Sequence, residues 1–343
     1  MKDLSAETGQ GEGNPLEVVF GSGPVGQAVA RALLVDGRKV KMISKSGRLP
    51  GEFVDALGES ERSLLQSASV DLVTGDPASL ASAVRGAATI YHCVSTPYQE
   101  WHRTLAPIQD SLVAAAVEAG ALLAVADNLY GYARGIERID EDSPVDPPSR
   151  KGRLRARLHE ALLEAAGEKG LRFVSIRASD FYGPGVTWQG VFGTTRFLDP
   201  LIAGKRPALL GNPDLPHSYS FIDDFGRALV LAAHDEKALG RAWIVPNDRT
   251  LTSREVAAKF AEEAGVRAGV SALPRVAVSL AGLFNPLIRE VLEVLYQKEE
   301  PYIVDGSRFK TTFDFTPTPL EEGIRKTLAW YRVSRQTPVG AGA

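Results

Sequence analysis

The sequence predicts an α/β fold, a doubly wound parallel sheet with a smaller C-terminal lobe. Three observations carry this. The apolar run Val18-Val19-Phe20 enters a glycine pattern and leaves it into a helical pattern. Strand-like and helix-like segments then alternate as far as Ile176. Beyond Arg177 the rhythm gives way to glycine and proline loops with shorter elements, as at Gly183-Pro184-Gly185 and Gly211-Asn212-Pro213.

The first strand ends at Gly21-Ser22-Gly23-Pro24-Val25-Gly26. Val25, Ala28, Val29, Ala32 and Leu33 follow at helical spacing and form one apolar face. Gly21 lets the chain turn, Gly23 opens the backbone to a pyrophosphate, and Gly26 lets helix and strand pack closely. The helix N-terminus adds N–H groups and a positive dipole end. Residues 21–26 are therefore expected to hold the phosphates of a dinucleotide in a Rossmann-type fold. Lys39 to Ile43 reads as the second strand, followed by Ser44-Lys45-Ser46-Gly47-Arg48. An NAD site usually carries a carboxylate here. Ser44 and Lys45 instead suit the 2′-phosphate of NADP, with NAD possible.

Val70 to Asp76 reads as the third strand, with Asp76 at its end, and a helix over 78–84 follows. Thr89 to Val94 is the fourth strand, leading into Ser95. A long helix covers 98–119. Ala121 to Ala126 is the fifth strand, running into Asp127-Asn128-Leu129-Tyr130. A charged helix covers 150–166, and Leu171 to Ile176 is the sixth strand. Ligands of such sheets lie beyond the carboxyl ends of the strands. Ser22, Ser44, Asp76, Val94, Ser95, Asn128 and Arg177 belong to that edge. Residues 15–180 are expected to form the dinucleotide domain and 181–335 mainly a substrate lobe. A helix at 221–235 returns to the first part. A strand from Ala242 and a helix capped by Ser253 sit in the lobe. Val276 to Tyr296 reads as two amphipathic helices. Residues 1–14 are expected to be a disordered leader and 336–343 a flexible tail.

Composition is that of an ordinary globular chain, 44% hydrophobic and 24% charged over 343 residues. A net charge of −3 gives neither nucleic acid nor an anionic membrane a reason to bind. One cysteine, Cys93, rules out an intrachain disulfide and fits the reducing cytoplasm. The five histidines are scattered, so no metal site is expected.

Taken together, several motifs resemble the extended short-chain dehydrogenase/reductases, in the NAD(P)-dependent epimerase/dehydratase-like branch. They are the glycine turn, Asp76, Asn128-Leu129-Tyr130-Gly131, Arg177 to Gly185, Ser220-Phe221-Ile222-Asp223-Asp224, and Thr316 to Ile324 followed by Trp330-Tyr331. The resemblance spans about residues 16–333. It implies a Tyr and a Lys four residues apart on the helix before the sixth strand. The Tyr is the general acid/base, and the Lys lowers its pKa and holds the ribose. Aligned on Glu160, those positions are Gly152 and Ala156. The helping serine is replaced by Asp127 or Asn128. This marks an atypical member.

Substitutes for the missing pair follow from position. Lys151 is one residue from the Tyr position and is a candidate for proton donation or for the nicotinamide ribose. Tyr130 can replace the acid, and Asn128 can orient a carbonyl. The resemblance puts Asp180 and Tyr182 where family members contact nicotinamide and substrate. His217 stands near where a sugar-nucleotide enzyme carries a diphosphate-binding Arg, and is itself a candidate acid/base. Trp101, Trp188, Phe192 and Phe197 suggest an apolar pocket lining. The leading expectation is an NADP-dependent oxidoreductase acting on a carbonyl or activated double bond of a small non-nucleotide substrate. The alternatives are a nucleotide-sugar epimerase or dehydratase with tightly bound NAD, and a non-catalytic NAD(P) sensor. The helix at 98–119 allows a homodimer.

Overall fold

The computed structural model describes residues 15–188 and 190–336. The expected leader and residues 337–343 of the expected tail lie outside the described residues. At the centre is a parallel sheet of seven strands. In chain order these are β1 (Leu16–Phe20), β2 (Lys39–Ser44), β3 (Leu65–Ser69), β4 (Ala87–His92), β5 (Leu122–Asn128), β6 (Phe173–Ala178) and β7 (Ala242–Ile244). Their spatial order is β7-β6-β5-β4-β1-β2-β3. The chain reverses its direction of travel between β1 and β4, and such a switch point opens a crevice at the carboxyl edge.

Both faces of the sheet are covered, which is why its central strands read as nearly continuous apolar runs. Helices α1 (Pro24–Val35), α2 (Pro77–Val84), α3 (Trp101–Ala119), α4 (Arg150–Lys169) and α5 (Ile222–Ala233) do the covering. Side chains alternate across a strand. Val19 thus joins Val29, Leu33, Phe225 and Leu229 of α1 and α5 on one face. Val18 and Phe20 join Ile108, Leu112 and Leu162 of α3 and α4 on the other. A Cβ on Gly226 would lie 2.5 Å from the Ala28 carbonyl carbon, so this glycine lets α5 close onto α1.

Three expectations are corrected. The third strand is Leu65–Ser69, not 70–76. As an edge strand it needs few apolar residues and escaped a hydropathy reading. The Val-Asp-Leu-Val run after it instead folds into a turn in which Gly75 donates to the Asp71 carbonyl at 2.9 Å. The strand at 242 is not part of the smaller lobe but pairs with β6 in the main sheet. The helix α6 (Ser253–Ala264) is capped by Thr252, in a reciprocal box with Glu255, rather than by Ser253.

The second hydrophobic centre contains Tyr182, Phe192, Phe197, Tyr219, Phe260 and Leu328. Phe192, Phe197 and Trp101 are buried packing residues and Trp188 is exposed, so the expected aromatic pocket lining is not formed by these four. The segment at 276–296 holds α7 (Arg275–Phe284) and α8 (Pro286–Leu292). Among the described residues no helix is long and apolar enough to cross a membrane, and no His/Cys/Asp/Glu cluster suits a metal.

Candidate active site

The glycine turn joins β1 to α1 across the switch point. Gly21 has φ +107°, and a Cβ there would stand 2.6 Å from the Cys93 carbonyl oxygen. A Cβ on Gly26 would stand 1.9 Å from the Gly21 carbonyl oxygen. Both positions exclude any side chain. Gly23 has nothing within 4 Å of its missing Cβ, which leaves space beside the helix start. No side chain caps α1, Pro24 brings no N–H, and the first turn holds no carboxylate. Ser22 is fixed through its carbonyl, which accepts from the Gln27 amide at 2.9 Å. An open helix N-terminus beside a glycine backbone fits a pyrophosphate.

At the ends of β2 and β3, Ser44 accepts the Val70 N–H at 3.1 Å through its carbonyl. Lys45 is exposed, and its ammonium lies 3.0 Å from the Asp71 carboxylate. Asp71 also accepts from Thr74 and from the Val73 amide, and these bonds hold its carboxyl far below the usual range. Asp71, not Asp76, therefore stands at the strand edge. Asp76 caps α2, accepting the Ala78 N–H at 3.2 Å. The sequence signal for Asp71 was present but was spent on the misplaced strand.

Beyond β4, Val94 is half-buried and Ser95 exposed. The Tyr98 and Tyr130 hydroxyls are 2.7 Å apart, and burial pushes both phenols up. Asn128 uses its amide oxygen within its own turn. That oxygen accepts the Tyr130 N–H at 3.0 Å and shapes the turn. Asp127 lies 3.3 Å from Arg155 and 3.4 Å from Arg177, all three almost buried. Lys151 is held by ion pairs. Its ammonium is buried between Glu290 and Glu293 and stands 5.2 Å over the Tyr98 ring. The expected roles at the ribose and as a proton donor thus meet a cation that is already paired.

From the second lobe, Asp180 and His217 do come together. His217 Nε2 is 2.8 Å from Asp180 Oδ2. Lys298 joins them, bonding Asp180 and lying 3.1 Å from the same His217 nitrogen. Burial and the neighbouring ammonium push the His217 pKa down to about 4. Lys298 was not foreseen. It lies 118 residues from Asp180 and 81 from His217 in sequence, with no local motif to mark it. Tyr182, expected in the site, is instead packed against Phe221 and Phe260 with Gly323 beside it. The G-P-G turn after it needs that anchor.

A family model described as the NAD dependent epimerase/dehydratase family matches residues 18–245. The chain belongs to that family. No curated protein sequence matches it. Solved structures with the same fold include the UDP-glucose 4-epimerase of Thermotoga maritima with UDP-glucose, at TM-score 0.75 and 17% identity over 93% of this chain and 99% of that one. The dTDP-glucose 4,6-dehydratase of Bacillus anthracis with NAD gives TM-score 0.75 and 15% identity over 94% and 98%. The UDP-glucose 4-epimerase of Thermus thermophilus with NAD gives 0.70 and 20% over 95% and 100%.

Packing is tight at the start of α4. A Cβ on Gly152 would stand 2.3 Å from the Tyr130 carbonyl oxygen and 2.5 Å from Pro147. The position aligned with the family's Tyr has no room for one. Arg155 occupies the neighbouring turn, stacked 4.5 Å over Trp101 and paired with Asp127. The pair of the resemblance has been replaced by a packed, charge-neutralised helix end.

Proposed function

We propose that this chain holds a nicotinamide dinucleotide along the carboxyl edge of the sheet and exchanges hydride with a hydroxyl- or keto-bearing small molecule, in a reaction of the epimerase or dehydratase class. The cradle at Gly21 to Gly26 carries this reading, because Gly21 and Gly26 let the turn close tightly and Gly23 leaves open space where a pyrophosphate would approach the backbone. The bound cofactor would supply a reversible hydride acceptor. Family membership and neighbours that handle nucleotide sugars favour a sugar-type substrate over the simple carbonyl reduction expected first.

A second reading keeps NADP and a non-nucleotide substrate. Its support is local: Ser44 and Lys45 stand in place of an acidic residue, and His217 stands near the diphosphate-binding Arg implied by the resemblance. The Asp71 partner of Lys45 bears on the choice, since it draws the cation that a 2′-phosphate would need. A homodimer through α3, and a cytoplasmic setting, go with either reading.

Binding of NADH and NADPH is measured by nicotinamide fluorescence. The protein is then loaded with NAD⁺ or NADP⁺ and offered UDP-glucose, UDP-glucuronate, dTDP-glucose and simple carbonyls, with absorbance at 340 nm followed. Reduction of bound cofactor by a nucleotide sugar supports the first reading. NADPH preference with oxidation by carbonyls supports the second. Binding with no turnover on the whole panel would leave the sensor. Binding of neither dinucleotide would sink all three.

A further inference from the structure

We propose that Lys298 is the proton donor and acceptor of this site, taking the place of the Tyr that the packing at Gly152 excludes, with Asp180 and His217 as its positioning residues. The inference rests on the hydride-exchange reading above and adds the group that handles the proton.

The geometry comes first. Lys298 ends a short turn of helix at Leu295–Lys298, and its backbone is fastened there. Its carbonyl accepts from the Asn212 amide at 2.8 Å, and Gly211 closes against its Cβ. Its side chain runs 5.2 Å over the Tyr219 ring to reach Asp180, which follows β6. Asp180 thus brings Lys298 to the carboxyl edge of the sheet, on the side of Tyr98 and Tyr130. Both phenols feel the Asp180 charge, as do Tyr219 and Tyr302. The side chains of Lys298 and Asp180 remain 14% and 24% exposed, whereas His217 is sealed between Tyr219 and Tyr302. Lys298 and Asp180 are thus the members of the triad that keep some exposure.

The hydrogen-bond inventory then assigns roles. An ammonium has three N–H donors and no acceptor. One is used on Asp180 and one reaches His217 Nε2, which leaves a third for a substrate oxygen. His217 Nε2 lies within reach of both partners. As an acceptor it takes the Lys298 N–H, and as a donor it gives to Asp180. His217 thus holds the Lys298 ammonium and the Asp180 carboxylate in register. Burial also lowers the Lys298 pKa, while Asp180 opposes the shift. A lysine lowered by burial gives up its proton more readily than one in water.

The step balances without a further reagent. In oxidation, the substrate hydroxyl gives its proton to the neutral Lys298 amine. The C–H bond breaks, and its electron pair leaves as hydride to the dinucleotide, forming C=O. In reduction the ammonium returns that proton to the carbonyl oxygen as carbon regains hydride.

The test has two readouts. Competitive acetylation with acetic anhydride across pH 6 to 11, read by peptide mass spectrometry, follows Lys298 without any substrate. Lys298 is expected to titrate below the surface lysines, and Asp180→Asn is expected to lower it further. Lys298→Met is expected to bind NADH or NADPH as the parent protein does. On any nucleotide sugar or carbonyl that the parent turns over, it should lose kcat by about 10²-fold or more, and Lys298→Arg, whose guanidinium keeps its proton throughout, should not restore it. Lys298 titrating with the surface lysines, staying unreactive throughout, or proving necessary for dinucleotide binding overturns the proposal. Failure of the parent protein to bind either dinucleotide overturns the hydride-exchange reading instead, and the acetylation profile still reports on Lys298.

Discussion

Lys151 is clasped twice by Glu293. Its backbone N–H donates to one carboxylate oxygen at 2.9 Å, and its ammonium donates to the other at 2.8 Å. One carboxylate thus fastens both the main chain and the side chain at the start of α4 to the chain just past α8.

Because the Lys151 side chain is only 4% exposed, removing its clasp leaves a buried cation with one partner, Glu290. Glu293→Gln is expected to cost about 2–3 kcal/mol, measured by urea unfolding at pH 7. The sign with pH follows from the Glu293 carboxyl, which these bonds hold below its ordinary 4.5. Its contribution is complete above that ordinary value and is lost as pH falls through the lower folded value. The variant should therefore show a flatter loss of stability below pH 4.5 than the parent.

Asp127 sits between two nearly buried guanidinium groups. Asp127→Asn keeps the shape but strands both cations. A loss of about 3–5 kcal/mol is expected. An unchanged unfolding midpoint would mean that solvent reaches this cluster.

His92, at the end of β4, is buried and held neutral, with a pKa down to about 4 because burial penalises its charged form. The unfolded chain protonates it near 6.5. Between these values the unfolded state binds more protons, so stability falls as pH falls, by up to about 1.4 kcal/mol per pH unit from this residue. His92→Gln should flatten urea-derived stability between pH 6.5 and 4. Equal slopes in both proteins would contradict the burial argument.

Two glycines of the same turn should fail differently. Gly26→Ala drives a Cβ into the Gly21 carbonyl, and a loss of about 3 kcal/mol is expected in thermal or denaturant unfolding. Gly23→Ala meets open space and should unfold like the parent while binding NADH or NADPH more weakly. Parent-like dinucleotide binding by Gly23→Ala would remove the phosphates from this turn.

Local sequence carried the frame. The glycine turn, the strand and helix alternation and the returning helix at 222–233 each announce themselves through periodicity or backbone need, which act over a few residues. The edge strand at 65–69 escaped because pairing on one side only asks for little apolar surface. Asp76 and Tyr182 have structural partners that periodicity does not show. Order along the chain put them next to strand ends, while a helix cap and an aromatic core claimed their side chains.

What the sequence by itself determined is the doubly wound sheet and the cradle at its switch point, because both rest on contacts within short windows. Only the tertiary structure decided which charges are free and which are spent. Lys151, beside the position aligned with the family's Tyr, is consumed by carboxylates some 140 residues away. Lys298, without any motif, is delivered to Asp180 and His217. Ion pairing depends on distance in space, and a chain reading gives only distance along the chain.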